Sequence, residues 1–436
     1  MHESSTKKSP STLLRRRLDP EAMAKHTRRI VASLTMSTYR RYCRAIAGEP
    51  LPLAIVDMDA VDANADALID QVRRHGKTLR LATKSVRCPA LIDYLVDRGG
   101  GTMHGLMAFT VAEAVQLVDR GHADILVAYP SVQPADIVAL VEVNRRDGVR
   151  VALIVDAEDQ LDRLSAGAVD HGGDIAVAIE VDLSLRAFGG KVHLGVHRSP
   201  LHTADEVVAI ARAIERRPGL RLVGVMGYEA QVAGMGEANP FSRALNPVRS
   251  AIKKASIPAA RKRRQQVADA LARAGLPVEF FNGGGTGSLN TTATEVAVTE
   301  VTAGSGFLCS HLFDYYPHLS LQPAAFFAVQ AVRSPAPGFV TCHGGGYVAS
   351  GEAGPDRLPL PVLPPQLSLT GLEGAGEVQT PLRGVGAREL RVGDPVFFRH
   401  AKAGELAERF NAYALVRGDT ITDRVKTYRG LGYAFL

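Results

Sequence analysis

The chain has 436 residues, 46% of them hydrophobic, 22% charged and 6% aromatic, with 42 glycines, 24 prolines and no tryptophan. These proportions exclude a disordered chain, a collagen-like fibre and a disulfide-held miniprotein, and they supply apolar material for one large domain and a smaller one. The formal charge of +6 sits in residues 1–50, where 11 Lys and Arg stand against 4 Asp and Glu, leaving 40 against 41 beyond, so no nucleic-acid partner is expected.

No apolar run approaches the roughly 20 residues of a bilayer-spanning helix, so no membrane partner is expected either. Cys43, Cys88, Cys309 and Cys342 are dispersed, without a C-x-x-C pair or a secretory signal, which fits reduced thiols in a cytoplasmic protein.

Residues 1–45 read as a basic extension. Its run Ser11-Thr12-Leu13-Leu14-Arg15-Arg16-Arg17 fits a transit peptide, a nucleic-acid-binding arm or a solvated tail. Met23 and Met36 are alternative translation starts, and the stretch from Met36 into Tyr39-Arg40-Arg41-Tyr42 reads as a natural beginning.

From residue 53 onward short β-branched or aliphatic runs alternate with amphipathic stretches, the pattern of parallel strands joined by crossover helices. Strands are expected at 53–58, 79–84, 102–107, 124–128, 151–155, 175–181, 220–228, 278–282 and 298–303. That is one more than a closed eight-stranded barrel requires. A doubly wound open sheet fits the alternation too, but it places a glycine-rich loop after its first strand, whereas here the loop follows the second-to-last; capture of phosphate late in the series is the habit of a (β/α)8 barrel. Among the helices, Thr110 with Glu113 forms a capping-box pattern, Thr203 precedes a helix over 204–216, and a long basic helix over 243–274 is expected to be interrupted by Pro247 and Pro258. Beyond about residue 316 the apolar runs shorten and alternate at 326–332, 395–399 and 413–416. This is a second, all-β domain with a long loop over 351–381. The expected organisation is an extension over 1–45, a barrel over 46–316 and a β domain over 317–436.

Two loops carry chemistry. In Asn282-Gly283-Gly284-Gly285-Thr286-Gly287-Ser288, consecutive glycines at a strand end let backbone amides approach an anion, with Thr286 and Ser288 adding hydroxyls. No lysine follows as in a nucleoside-triphosphate loop. An ordinary tight turn has the same composition. In Arg80-Leu81-Ala82-Thr83-Lys84-Ser85, Lys84 stands at a strand's carboxyl end, where a partly desolvated amine can attack a carbonyl to form a Schiff base. A lysine snorkelling from a strand terminus looks identical in sequence.

The segments Pro52–Ala60, Arg80–Pro89, Asp124–Pro130 and Gly283–Ser288 follow one another in the order found in pyridoxal-phosphate enzymes of the alanine-racemase-like barrel class. Over roughly residues 40–436 the chain resembles the D-threonine aldolase and D-serine dehydratase branch, notably bacterial amino acid deaminase/aldolase proteins. The resemblance implies pyridoxal 5'-phosphate as cofactor, Lys84 as its Schiff-base lysine, and Gly284, Gly285, Thr286, Gly287 and Ser288 as its phosphate site. It implies that strand 53–58 precedes the barrel and pairs with the C-terminal domain. It makes Tyr228 a cofactor or substrate contact and offers His193, or Arg186 a few residues earlier, as partner of the pyridine nitrogen. Relatives carry His-x-Cys or His-x-Asp as metal ligands where this chain has His400-Ala401-Lys402. A lysine in place of the anionic ligand implies no metal, with His400 and Lys402 acting catalytically. Ala82 and Met226 replace a usual histidine and glutamine, and His343 takes no assigned role. The implied activity is a lyase for a small D-amino acid bearing a β-hydroxyl, working by retro-aldol cleavage or β-elimination; an alanine-racemase-type racemase and a non-catalytic cofactor carrier are the alternatives. A homodimer is implied by the same resemblance.

Overall fold

A computed structural model describes residues 34–187 and 192–436, so the run 11–17 and Met23 lie outside the described residues. Helix α1 (Met36–Ala45) starts at Thr35, which forms a reciprocal capping box with Thr38, and buries Tyr42 against Phe326 and Phe397. The Tyr42 hydroxyl donates to Asp57 Oδ2 at 2.7 Å. Asp57 ends strand β1 (Leu53–Asp57) and, through Oδ1, caps helix α2 (Met58–Arg73) by accepting from the amides of Asp59 and Ala60. One carboxylate thus ties a helix, a strand and the next helix together.

The barrel strands follow as β2 (Thr78–Ala82), β3 (Met103–Ala108), β4 (Asp124–Val127), β5 (Arg150–Val155) and β6 (Ile175–Glu180). A two-stranded hairpin, β7 (Leu185–Ala187) with β8 (Val192–Leu194), intervenes before β9 (Leu220–Gly227), β10 (Phe280–Gly283) and β11 (Glu300–Ala303). The eight close in the order β2-β3-β4-β5-β6-β9-β10-β11, every pair parallel. Inside, residues such as Leu126, Ala152, Ile154, Ala178 and Phe280 form one apolar layer. Beside it Arg80, fully buried, pairs with Glu300 at 2.8 Å and Asp124 at 3.2 Å. Gly105, at φ +77°, leaves the room: a Cβ there would stand 2.5 Å from the Arg80 guanidinium.

The crossovers are α3 (Pro89–Gly99), α4 (Val111–Asp119), α5 (Pro134–Asn144), α6 (Glu158–Asp170) and α7 (Ala204–Glu215), then α8 (Ala230–Ala233) and the 28-residue α9 (Asn246–Arg273). Thr110 caps α4, but Glu113 turns away from the capping box to accept from the amide of Phe109 at 2.8 Å. Pro258 does not interrupt α9. Buried Lys253, Ser256, Ala260, Arg264, Val267 and Leu271 run along one face on both sides of it, and this burial outweighs the single hydrogen bond that proline removes. Short helices α10 (Leu289–Thr292) and α11 (Ser305–Leu308) complete the barrel's last two loops.

The C-terminal quarter adds β12 (Ala325–Arg333), β13 (Phe339–His343), β14 (Leu360–Leu363), β15 (Ser368–Leu369), β16 (Gln379–Arg383), β17 (Pro395–Arg399), helix α12 (Ala403–Ala407), β18 (Ala412–Arg417) and β19 (Thr420–Lys426). The expected loop over 351–381 therefore contains β14, β15 and the start of β16, held by pairings such as Leu360 with Arg399 and Leu369 with Leu382. These strands form a sheet of order β15-β16-β13-β12-β1-β18-β19, with β17 joining β12 to β14. Strand β1 lies inside it, antiparallel to β12 and parallel to β18. Among the described residues no helix is long and apolar enough to cross a membrane.

Candidate active site at the barrel mouth

The carboxyl ends of the barrel strands and the C-terminal domain enclose a cavity of about 870 Å³. Lys84 enters it from the turn after β2, and that turn is held from both sides. On the barrel side Thr83 donates to the Met107 carbonyl at 2.9 Å and Ser85 meets Ser305 at 2.9 Å. On the other side Arg87, in the left-handed region at φ +49°, donates to the Lys84 carbonyl at 3.0 Å and to Glu408 at 2.7 Å, while its own carbonyl accepts from the Tyr428 amide. Gly404, in α12, packs so closely that a Cβ would lie 1.8 Å from the Lys84 carbonyl oxygen. The C-terminal domain thus fixes the backbone that presents the lysine.

Lys84 Nζ donates to the Tyr129 hydroxyl at 2.7 Å. Burial raises the Tyr129 phenol, but the Lys84 charge and hydrogen bond, with Arg198, outweigh it and leave the phenol below its ordinary value. The Arg198 guanidinium lies over both the Tyr129 ring, at 5.9 Å, and the Tyr228 ring, at 5.6 Å. Burial and the neighbouring Glu229 charge push Tyr228 up to about 12, so its hydroxyl keeps its proton. Glu180, at the end of β6, is pushed up to about 7 by burial and by Asp156 and Asp182, against the pull of Arg198 and Lys84.

Gly284, Gly285 and Thr286 also line the cavity. Gly285 faces the Ala233 side chain and the Tyr228 ring so closely that a Cβ would stand 3.0 and 3.2 Å from them. Gly287 and Ser288, expected to face an anion, do not line the cavity. Gly287 is pressed on the Ala233 carbonyl, where a Cβ would come within 2.3 Å. Ser288 donates to buried Glu229 at 2.5 Å and accepts from the Gly285 amide at 3.1 Å. Glu229 also accepts from the Gly284 amide and Thr292 and pairs with Arg264, which pairs in turn with Glu295 at 2.7 Å. The loop is therefore shaped by an internal carboxylate that consumes donors the glycine pattern assigns to a ligand. The one local signal for it is an acidic residue directly after Tyr228, which follows β9.

His193 and Arg186 stand outside the cavity lining. Both belong to the β7–β8 hairpin, where Arg186 pairs with Asp182 at 2.9 Å and the His193 ring stacks on His197 at 4.2 Å. The cation that reaches the cavity from this region is Arg198, five residues after His193.

The facing wall comes from the C-terminal domain. Lys402 lines the cavity, and its Nζ donates to Ser350 Oγ at 2.7 Å and pairs with Glu405 at 3.3 Å. Glu405 accepts from the Ser350 amide at 2.8 Å and its hydroxyl at 2.5 Å; burial raises this carboxyl, but those bonds and Lys402 outweigh it and hold it below its ordinary range. His400 is buried and does not line the cavity; its Nδ1 lies 2.7 Å from the Lys402 carbonyl oxygen and 3.0 Å from the Lys402 amide. Burial lowers its pKa and keeps the imidazole neutral. Ser350 and Glu405 carry no sequence pattern that marks them. Among the described residues no group of three or more His, Cys, Asp and Glu side chains is placed to hold a metal ion, and the ammonium of Lys402 is the wrong charge for one. His343, at the end of β13, lies away from the cavity lining.

Residues 56–308 match the family model of the alanine racemase N-terminal domain. A 3-hydroxy-D-aspartate aldolase of Paracoccus denitrificans (strain Pd 1222) is 28% identical over 254 residues, 58% of this chain and 59% of that protein. The match thus spans less than two thirds of that relative's length. A D-threonine aldolase of Arthrobacter sp is 25% identical over 319 residues, 71% of this chain and 77% of the relative. In three dimensions a D-threonine aldolase from Filomicrobium marinum superposes with a TM-score of 0.74 at 22% identity, covering 88% of this chain and 97% of the other.

Proposed function

The chain belongs to the family of the alanine racemase N-terminal domain, and from that premise we propose that it is a pyridoxal-phosphate-dependent lyase acting on a small D-amino acid with a β-hydroxyl. The observation that carries this reading is the placement of Lys84. Its amine projects from a clamped turn into a cavity that the glycine loop Gly284–Thr286 also lines. The aldolase names of the relatives support the substrate class.

The donor set fits the cofactor. Lys84 is the one lysine on the barrel wall of the cavity among the described residues, and the glycine loop approaches with little more than backbone. When bound, the cofactor supplies an electrophilic carbonyl carbon and an electron sink for the bond broken at Cα. Lys84 is the amine that holds it. Tyr129 keeps that amine in place and, with its phenol below the ordinary value, gives up its own proton more readily than a free tyrosine does. Thr286, with the loop amides that Glu229 and Ser288 leave free, would hold the phosphate. Arg198 would fill the role that sequence offers to His193 or Arg186: a group that is always charged would keep the pyridine nitrogen unprotonated. Tyr228 lines the cavity with its proton retained.

Borohydride reduction of protein saturated with pyridoxal phosphate, followed by peptide mapping, is expected to place the pyridoxyl group on Lys84; labelling of another lysine refutes the assignment. A panel of D- and L-threonine, allo-threonine, serine and alanine then separates the chemistries. Aldehyde release marks retro-aldol cleavage, ammonia marks elimination, and a change of handedness alone marks a racemase.

A further inference from the structure

Lys402, Ser350 and Glu405 form a closed polar unit on the cavity wall supplied by the C-terminal domain, and Lys84 alone does not explain it. Lys402 has three N–H directions; Ser350 Oγ and Glu405 take two of them. Its side chain is 39% exposed and lines the cavity, so the third is available to a ligand. Glu405, with both oxygens on Ser350, is ionised and faces the same space. Lys402 stands two residues before Gly404, whose backbone touches the Lys84 turn. The two lysines thus reach one cavity from contacting segments of different domains.

Resting on the function proposed above, we infer that Ser350, Lys402 and Glu405 form a metal-independent subsite for the β-hydroxyl of the substrate, with Lys402 holding the oxygen and Glu405 receiving its proton. As the Cα–Cβ bond breaks, the hydroxyl proton passes to the Glu405 carboxylate and the O–H electron pair becomes the second C=O bond of the aldehyde. The Cα–Cβ pair stays with Cα, which takes up a proton to give the smaller amino acid, and Glu405 returns its proton. Ser350 is a positioning residue that orients the Lys402 and Glu405 heads toward each other. The site takes an alcohol flanked by a fixed ammonium and a fixed carboxylate, so no divalent cation is needed to polarise the oxygen.

The test uses protein loaded with pyridoxal phosphate and freed of metal by exhaustive chelation. Cofactor absorbance is followed during titration with D-threonine and with D-2-aminobutyrate, which has the same carbon chain but no hydroxyl. The wild type is expected to bind D-threonine about tenfold more tightly than the deoxy analogue. In Lys402→Met and, independently, in Ser350→Ala, that ratio is expected to fall to within about twofold of unity. Glu405→Gln is expected to keep part of the preference while aldehyde release falls by roughly 100-fold. A preference that survives in folded Lys402→Met overturns the subsite. So does uptake of one equivalent of Mn²⁺ or Zn²⁺ by the wild type, with aldehyde release lost on chelation and regained on metal addition. Equal binding of both amino acids by the wild type refutes the subsite alone. A loaded protein whose absorbance responds to neither refutes the D-amino acid reading, and the subsite falls with it.

Discussion

The glycine loop on the barrel wall of the cavity is backbone held in place by buried charge, whereas the C-terminal wall is a set of side chains held by one another. On the barrel side Arg264 and Glu229 are fully or almost fully buried, and their bonds shape the glycine loop from behind. On the C-terminal side Lys402, Ser350 and Glu405 are reached by solvent and bond mainly among themselves. The first arrangement makes shape inseparable from stability. The second lets the chemistry of the wall change while the fold persists, because exposed ion pairs contribute only about 0–1 kcal/mol.

The same substitution on the two walls breaks or sharpens this contrast. Arg264→Met leaves Glu229 and Glu295 buried without their cation and is expected to destabilise the protein by about 3–5 kcal/mol, with a loss of pyridoxal phosphate affinity; Lys402→Met is expected to stay within about 1 kcal/mol of wild type. Urea denaturation of both, read by circular dichroism, checks the pair, and equal losses would erase the distinction. An intermediate effect is expected where the walls meet, at Glu113. This fully buried carboxyl accepts from the Phe109 amide of the barrel and from the Tyr428 hydroxyl of the C-terminal domain, and burial outweighs those bonds to raise it from 4.5 to about 7. Between those values the folded protein holds a proton that the unfolded chain has released, so the contribution of Glu113 to stability falls as pH rises through that window, by up to about 3 kcal/mol in all. Glu113→Gln is expected to flatten the difference in unfolding free energy measured at pH 5 and pH 8; an unchanged pH dependence assigns it to other groups. The smallest effect is expected from the β7–β8 hairpin. His193→Ala and Arg186→Ala should leave cofactor affinity within about twofold of wild type, since neither side chain lines the cavity; Arg198→Ala, measured by the same titration, should not.

Much of the frame is legible before any coordinates. Period-2 and period-3.6 patterning locates the barrel strands, and the late glycine loop separates a closed barrel from an open sheet. The strand-end position of Lys84 is equally local. What escapes is whatever depends on distant docking. Arg186 and His193 lie near the right strand end, yet a hairpin carries them away and brings Arg198 in. Ser288 has the right chemistry for an anion, yet a carboxylate 59 positions earlier occupies it. Pro258 carries a local stop signal that burial along both halves of α9 overrides. Ser350 and Glu405 come together only because the loop that follows β13 meets α12, and no spacing rule records a pair 55 positions apart.

Strand β1 bears on how the molecule is made. It is synthesised before the barrel, yet it belongs to the sheet that closes the chain. Leu53 must wait for Ala328, 275 positions later, and Ile55 for Ala414, 359 positions later. At roughly 5–20 residues per second a ribosome spends some tens of seconds between the strand and its first neighbour. Through that interval Ala54, Ile55 and Val56, all fully buried in the finished protein, are an apolar segment with no native partner. The sheet that holds β1 is therefore completed only after the whole barrel between its strands has been made, which puts these pairings among the contacts that are slowest to form.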